Sequence, residues 1–172
     1  RFGLVVFDSP DLDYSFQYPK GWQRLLNRRR KGVIISNFET NDKVYVEIFS
    51  KPPRGEMEQG GEVDIIRRRA VEVLVSPVDN DNSGDGKLEV PPINKVKTLS
   101  IAGEAYSTSK DTFTFRSDTT TRSGYDVTRV NYAATMSRGG LVYVICASTT
   151  TDLFSDKKAA LFEAMISSFV VN

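Results

Sequence analysis

The chain has 172 residues, 40% of them hydrophobic, with 23 Lys and Arg against 22 Asp and Glu and a formal charge of +1. That is enough apolar material for one folded domain, which excludes a disordered or fibrous chain, and the charge balance excludes long-range attraction to nucleic acid or anionic lipid. There is no histidine and one cysteine, Cys146, so His-dependent triads, imidazole metal sites, intramolecular disulfides and CxxC redox pairs are excluded as well.

The first fifty residues are predicted as short strands, because apolar residues alternate over short spans broken by turn formers. Leu4 to Phe7 is apolar and stops at Asp8-Ser9-Pro10-Asp11. Tyr14, Phe16 and Tyr18 recur at every second position and share one face of an extended chain, before Pro19-Lys20-Gly21 turns it toward Trp22. Val33 to Ile35 and Val44 to Phe49 follow as strands joined by a polar link, and Pro52-Pro53 ends the series. Past Gly60-Gly61 the period changes: Val63, Ile66, Ala70 and Val73 or Leu74 form one stripe of a helix that stops by Pro77. The Asp, Asn, Gly, Ser and Pro of residues 78–92 predict a long exposed loop. Strands resume at Lys95 to Ile101, around Phe113 and Phe115, over Val127 to Met136 and over Leu141 to Ala147, the last two joined by a Gly139-Gly140 hairpin. Ser155 or Asp156 caps a closing helix whose apolar stripe is Leu161, Phe162, Met165, Ile166 and Phe169. Helices bracketing hairpin-linked strands predict an α+β sandwich on an antiparallel sheet.

Three clusters could carry function. Asp79-Asn80-Asp81-Asn82-Ser83-Gly84-Asp85 alternates oxygen side chains before a glycine at the sixth position, as an EF-hand calcium loop does, and offers Asp79, Asp81, Ser83, Asp85 and Glu89 as ligands. It departs from that pattern at Ser83 and at Glu89, which comes one position early and leaves Val90 where the bidentate carboxylate belongs, so a plain turn-rich loop is the competing reading. Arg28, Arg29, Arg30 and Lys31 stand between two strands and would project four cations from a hairpin tip, either to grip an acidic partner or simply as a solvated turn. Arg67, Arg68 and Arg69 point about 100° apart on a helix and read as a solvated face. Neither basic cluster is interleaved with aromatics, so nucleic acid is not an expected partner. Cys146 lies in an apolar strand with no base to activate it and reads as an inert buried thiol. The carboxylate pairs Glu56 and Glu58, and Asp8 and Asp11, lie in turn-rich text with no sign of a cleft, so no enzymatic activity is expected.

Several stretches together resemble the PsbP-domain family. They are Tyr14-Ser15-Phe16-Gln17-Tyr18-Pro19-Lys20-Gly21-Trp22, the hydrophobic strand Val44 to Phe49 ending before Pro52, Arg138-Gly139-Gly140-Leu141-Val142-Tyr143-Val144 with Cys146-Ala147-Ser148 behind it, and Ala159 to Val171 with Ser167-Ser168-Phe169. The resemblance runs from about Asp13 to Val171. Leu153-Phe154 replaces the tryptophan usual before the final helix, and the middle loops differ from those of the oxygen-evolving-complex subunit.

The resemblance implies an α/β/α sandwich around a central antiparallel sheet of about six strands, of the Mog1/PsbP-like kind. Residues 1–12 would form an N-terminal segment and 13–172 the single domain. It further implies a non-enzymatic protein of the thylakoid lumen of a chloroplast or cyanobacterium, peripheral to the membrane and not inserted in it, and monomeric when isolated. Its partners would be photosystem subunits, photosystem II before photosystem I. The role would be support of oxygen evolution through calcium and chloride retention, or photosystem assembly and stability, with Arg28 to Lys31 as the docking tip. No cofactor is required, apart from the calcium that the 79–89 loop would take. The alternatives are a calcium-binding lumenal protein using that loop, and a Mog1-type regulator of a small GTPase.

Overall fold

The aromatic alternation at the start of the chain builds a corner that carries the core. In the computed structural model, which describes residues 2–25, 32–55, 61–75, 85–89, 97–98, 110–121 and 124–172, β1 (Leu4–Asp8) and β2 (Tyr14–Pro19) pair antiparallel with Phe7 opposite Phe16. Residues 1–12 are therefore no separate segment: β1 is part of the domain, and Phe7 is buried in its core. At Pro19–Trp22 the chain makes a β-turn closed by the Trp22 N–H on the Pro19 carbonyl at 3.3 Å, with Gly21 at φ +96°. A side chain at that third position would be strained, which is why glycine follows the Pro-Lys pair.

Beyond the turn lie β3 (Gln23–Leu25), β4 (Val33–Asn37), β5 (Asp42–Ser50), the helix α1 (Glu62–Val75), β6 (Asp85–Glu89), β7 (Lys97–Thr98), β8 (Lys110–Thr121), β9 (Asp126–Arg138) and β10 (Leu141–Thr150). A short 3₁₀ turn, Thr151–Leu153, leads to α2 (Asp156–Ser167) and β11 (Val170–Val171). The main sheet runs β3-β4-β5-β10-β9-β8-β6 with β7 also on β8, and β11 joins β2 and β1 in a second sheet of three strands. All pairings among the described strands are antiparallel. Six strands of the main sheet have five residues or more and two are shorter, so the expected sheet of about six is its body. Leu141 pairs with Arg138 across Gly139-Gly140, the two-residue hairpin expected there, and Gly139 has φ +60°.

Because strand side chains alternate, the sheet has two apolar faces. Tyr45, Phe113, Phe115, Ala133, Val144 and Cys146 face α1, which contributes Ala70, Val71, Leu74 and Val75. Val44, Val46, Ala134, Tyr143, Ile145 and Ala147 face the other way, toward α2 (Phe162, Met165, Ile166) and the small sheet (Phe7, Tyr14, Phe16). The α/β/α sandwich is thus present, with α1 on one face and α2 beside the small sheet on the other. Each fully buried Phe or Ile contributes about 1.5–3 kcal/mol to holding these layers. Ser155 caps α2 by accepting the Lys158 N–H at 3.2 Å. Ser168 closes the helix and ties it to β2: its hydroxyl donates to the Met165 carbonyl at 2.6 Å and accepts the Gln17 N–H at 2.8 Å.

Two expectations are corrected. The stretch 78–92 is not loop throughout, because Asp85–Glu89 is a strand lying along the end of β8. An edge strand is held by backbone hydrogen bonds, which Asp and Gly supply as well as apolar residues do. The buried stripe of α1 is turned from the predicted one: Val63 is 52% exposed, while Arg67, Val71 and Val75 are buried.

Candidate functional site

The α1 side of the sheet holds the chain's one thiol. Cys146 is fully buried, with Sγ 3.8 Å from Asn131 Oδ1; Asn131 in turn donates to Ser117 Oγ at 3.0 Å and the Phe115 carbonyl at 3.3 Å. Loss of solvent pushes the thiol from its ordinary 9.0 up to about 12 and raises the neighbouring Tyr45 hydroxyl too. The thiolate, the nucleophilic form, is absent near neutral pH. An aromatic disulfide reagent at pH 8 should therefore label Cys146 only as fast as the whole domain unfolds, with the rate rising in step with the urea-dependent unfolding rate. Labelling much faster than unfolding would mean that β10 opens locally.

Among the described residues Asp42, Glu47, Arg67 and Arg129 are buried charges, and two of them, Asp42 and Arg67, lie in ion pairs with Lys158 and Asp111. Asp42, at the start of β5 and 3% exposed, accepts hydrogen bonds from Thr149 Oγ1 at 2.6 Å and from Lys158 Nζ at 3.1 Å, which pins the first turn of α2 to β5 and β10. Beside it, Arg129 donates to Ser148 Oγ and to the Asn41 carbonyl, both at 2.7 Å. On the opposite face Arg67 is not solvated as expected. It is buried, pairs side-on with Asp111 of β8 at 2.6 Å through both Nε and Nη2, and lies 5.6 Å from the Phe113 ring centroid. The bidentate pair raises the guanidinium further above its usual range. Arg68 and Arg69 remain on the exposed face of α1.

A surface groove lies where the β1–β2 turn meets the β9–β10 hairpin. It is open, about 580 Å³, and lined by Asp11, Leu12, Asp13, Arg138, Gly139, Tyr143 and Asn172. Ser9 builds its wall: its hydroxyl accepts the Asp13 and Tyr14 N–H groups and donates to the Asp13 carboxylate. The Tyr143 hydroxyl donates to the other Asp13 oxygen at 3.2 Å, and Asn172 fastens the chain's last residue onto the Leu12 and Asp13 carbonyls. Burial, with Asp13 nearby, raises the Tyr143 hydroxyl, which stays protonated as the donor. The groove thus presents the fixed Asp13 carboxylate, the Asp11 carboxylate, a guanidinium and the exposed Leu12, a set suited to recognition. Among the described residues no three Cys, Asp or Glu side chains are grouped to hold a metal ion.

Of the residues singled out by sequence, Arg28, Arg29, Arg30 and Lys31 lie outside the described residues, as do Asp79, Asp81 and Ser83. The strands flanking the basic stretch, β3 and β4, are antiparallel neighbours, with Leu25 opposite Ile34. Asp85 and Glu89 begin and end β6, opposite Thr121 and Asp118. Four residues along a strand separate their backbones by about 13 Å. The Asp42–Lys158, Arg67–Asp111 and Asp13–Tyr143 contacts join residues too far apart in sequence for spacing to reveal them. The local text gives no hint either: Asp42 stands in the polar link Glu39-Thr40-Asn41-Asp42-Lys43.

A family model described as PsbP matches residues 3–171. No curated protein matches the chain. Among solved structures, that of cyanobacterial PsbP (CyanoP) from Synechocystis sp. PCC 6803 is similar, with a TM-score of 0.57 and 18% identity over 98% of this chain and 92% of that one. A crystal structure from Bacteroides thetaiotaomicron VPI-5482 is similar with a TM-score of 0.51 and 11% identity, covering 97% of this chain and 48% of that chain. The chain thus spans about half the length of the Bacteroides protein. Both are likenesses of fold.

Proposed function

This chain belongs to the PsbP family, and we propose from that membership that it is a non-enzymatic accessory protein of the thylakoid lumen that docks peripherally on a photosystem, photosystem II first. Its role there is to support oxygen evolution by helping to retain calcium and chloride, or to assist assembly and stability of the photosystem. The observation that carries this reading is the family match over residues 3–171, nearly the whole chain. Two features agree with it. No described helix is long and apolar enough to cross a membrane. The buried Asp42 and Arg67 are engaged in structural ion pairs with Lys158 and Asp111, and the groove carries charged groups suited to recognition. Docking by local charge is the mode that a formal charge of +1 leaves open.

Arg28, Arg29, Arg30 and Lys31 are the proposed docking tip, carried between the paired strands β3 and β4. Replacing all four by glutamine is expected to weaken binding to salt-washed photosystem II particles about tenfold at low salt and to flatten the dependence of binding on ionic strength. Cosedimentation across a salt series measures both. Unchanged affinity and unchanged salt slope would remove the tip from the account, and no binding of the wild-type chain would remove the photosystem reading itself.

A further inference from the structure

The small sheet ends in β1, whose outer side pairs with no other strand among the described residues. The β1–β2 ladder has a fixed phase: the Lys20 N–H donates to the Gly3 carbonyl at 2.9 Å and the Ser9 N–H to the Tyr14 carbonyl at 3.0 Å, both continuing the register in which Val5 faces Tyr18 and Phe7 faces Phe16. In an antiparallel pair hydrogen-bonded residues alternate with non-bonded ones. Gly3, Val5, Phe7 and Ser9 therefore spend their backbone groups on β2. Leu4, Val6 and Asp8 turn theirs outward, three donors and three acceptors along one edge with no backbone partner among the described residues.

Exposed edges invite pairing, and proteins usually blunt them with brevity, Lys, Pro or a bulge. The other edges among the described strands are blunted. β3 has three residues, one of them Arg24, β11 has two, and β6 carries Lys87 and a register irregularity between Asp85 and Leu88. β1 has five residues, Leu-Val-Val-Phe-Asp, none of these devices, and Val6 59% exposed at its centre.

We propose that β1 is a strand-addition site, filled by an extended segment of a protein partner that sets an apolar residue beside Val6 and a cation beside Asp8. The chemistry follows from the edge: backbone groups read the extended conformation, Val6 takes the apolar residue, and the exposed Asp8, two residues on and on the same face, takes the cation. A second copy of this chain is the weaker occupant. Two five-residue strands make a ladder of about 17 Å, and burying so little falls well short of the ~1,000 Å² that a stable dimer needs. A tail from an assembly that the domain also touches elsewhere does not meet that limit. The identity of that assembly rests on the photosystem reading above.

Residue-resolved amide exchange of the wild-type chain, free and bound to salt-washed photosystem II particles, tests this. Val5 and Phe7 should exchange slowly in both states, while Leu4, Val6 and Asp8 should exchange fast when free and about tenfold slower or more when bound. Val6→Pro removes an outward donor that β2 does not use, at an edge position where proline is tolerated, and should weaken binding about tenfold with the melting temperature unchanged. If proline lowers that temperature, Val6→Lys, which guards the edge by charge, serves in its place. Bound chain with Leu4, Val6 and Asp8 still exchanging at the free rate would overturn the site while leaving the photosystem reading intact. Protection of the same amides on concentrating the free protein would overturn the partner in favour of a second copy. Failure of the wild-type chain to bind the particles would overturn both readings together.

Discussion

Lys158→Met should destabilise the domain by about 3 kcal/mol, well above the roughly 1 kcal/mol expected for Asp42→Asn, although both break the same ion pair. The asymmetry comes from where the surviving group can go. The Asp42 side chain is only 4% exposed, whereas that of Lys158 is 20% exposed. Without the ammonium, the carboxylate is held in place at the start of β5 with Thr149 as its remaining side-chain donor. Without the carboxylate, the lysine stem can swing its charge into water, and the asparagine carbonyl still accepts from Thr149. The double variant should be less destabilised than the sum of the two, by about 1–3 kcal/mol, because a neutral amide beside a thioether leaves no buried charge. Urea unfolding followed by the fluorescence of Trp22, the chain's one tryptophan, measures all three. At a slope of about 2 kcal/mol per molar urea the Lys158→Met midpoint should fall by about 1.5 M. Equal losses for the two single variants would mean that the pair is solvated in solution.

What could be read from the sequence was what short-range periodicity records. Tyr14, Phe16 and Tyr18 alternate, Phe113 and Phe115 alternate, and Phe162, Met165 and Ile166 recur at helical spacing; all face the core as their periods require. Gly139-Gly140 gave its hairpin away because the turn needs what glycine offers. The reading failed where a residue's environment is set by a distant partner. Arg67 sits in a run of three arginines and reads as solvated, yet Asp111, 44 residues on, draws it under the surface of α1. Asp42 and Lys158 meet across 116 positions. β6 was hidden for a different cause: its Asp-Gly text suits a turn, and the bonds that make it a strand are backbone bonds to the threonines of β8. The candidate site divides the same way. A charge run is visible in sequence, but the open edge of β1 is visible only once the phase of its ladder is known.

Gly32→Ala should cost about 3 kcal/mol or more, the largest effect of alanine at any of the described glycines. Gly32 directly precedes β4, which lies against β5 with Val33 opposite Val46. A Cβ on Gly32 would fall inside the contact envelope of the Val46 carbonyl. The obstacle is backbone in the middle of the sheet, bracketed by β4 on one side and β10 on the other, so no rotamer change can relieve it. Relief has to come from β4 moving off β5, which would also pull Val33 and Ile35 from the core and loosen one of the two strands that flank Arg28 to Lys31. Overpacking in a tight interior typically costs 1–3 kcal/mol, and an immovable neighbour sets this case at or above the top of that range. Gly55→Ala is the control: nothing lies within 4 Å of its added carbon, and the change should stay within about 1 kcal/mol of wild type in either direction. A Gly32→Ala midpoint in urea close to that of the control would show that β4 has slack at its start, and the basic stretch would then hang from a movable strand instead of a fixed one.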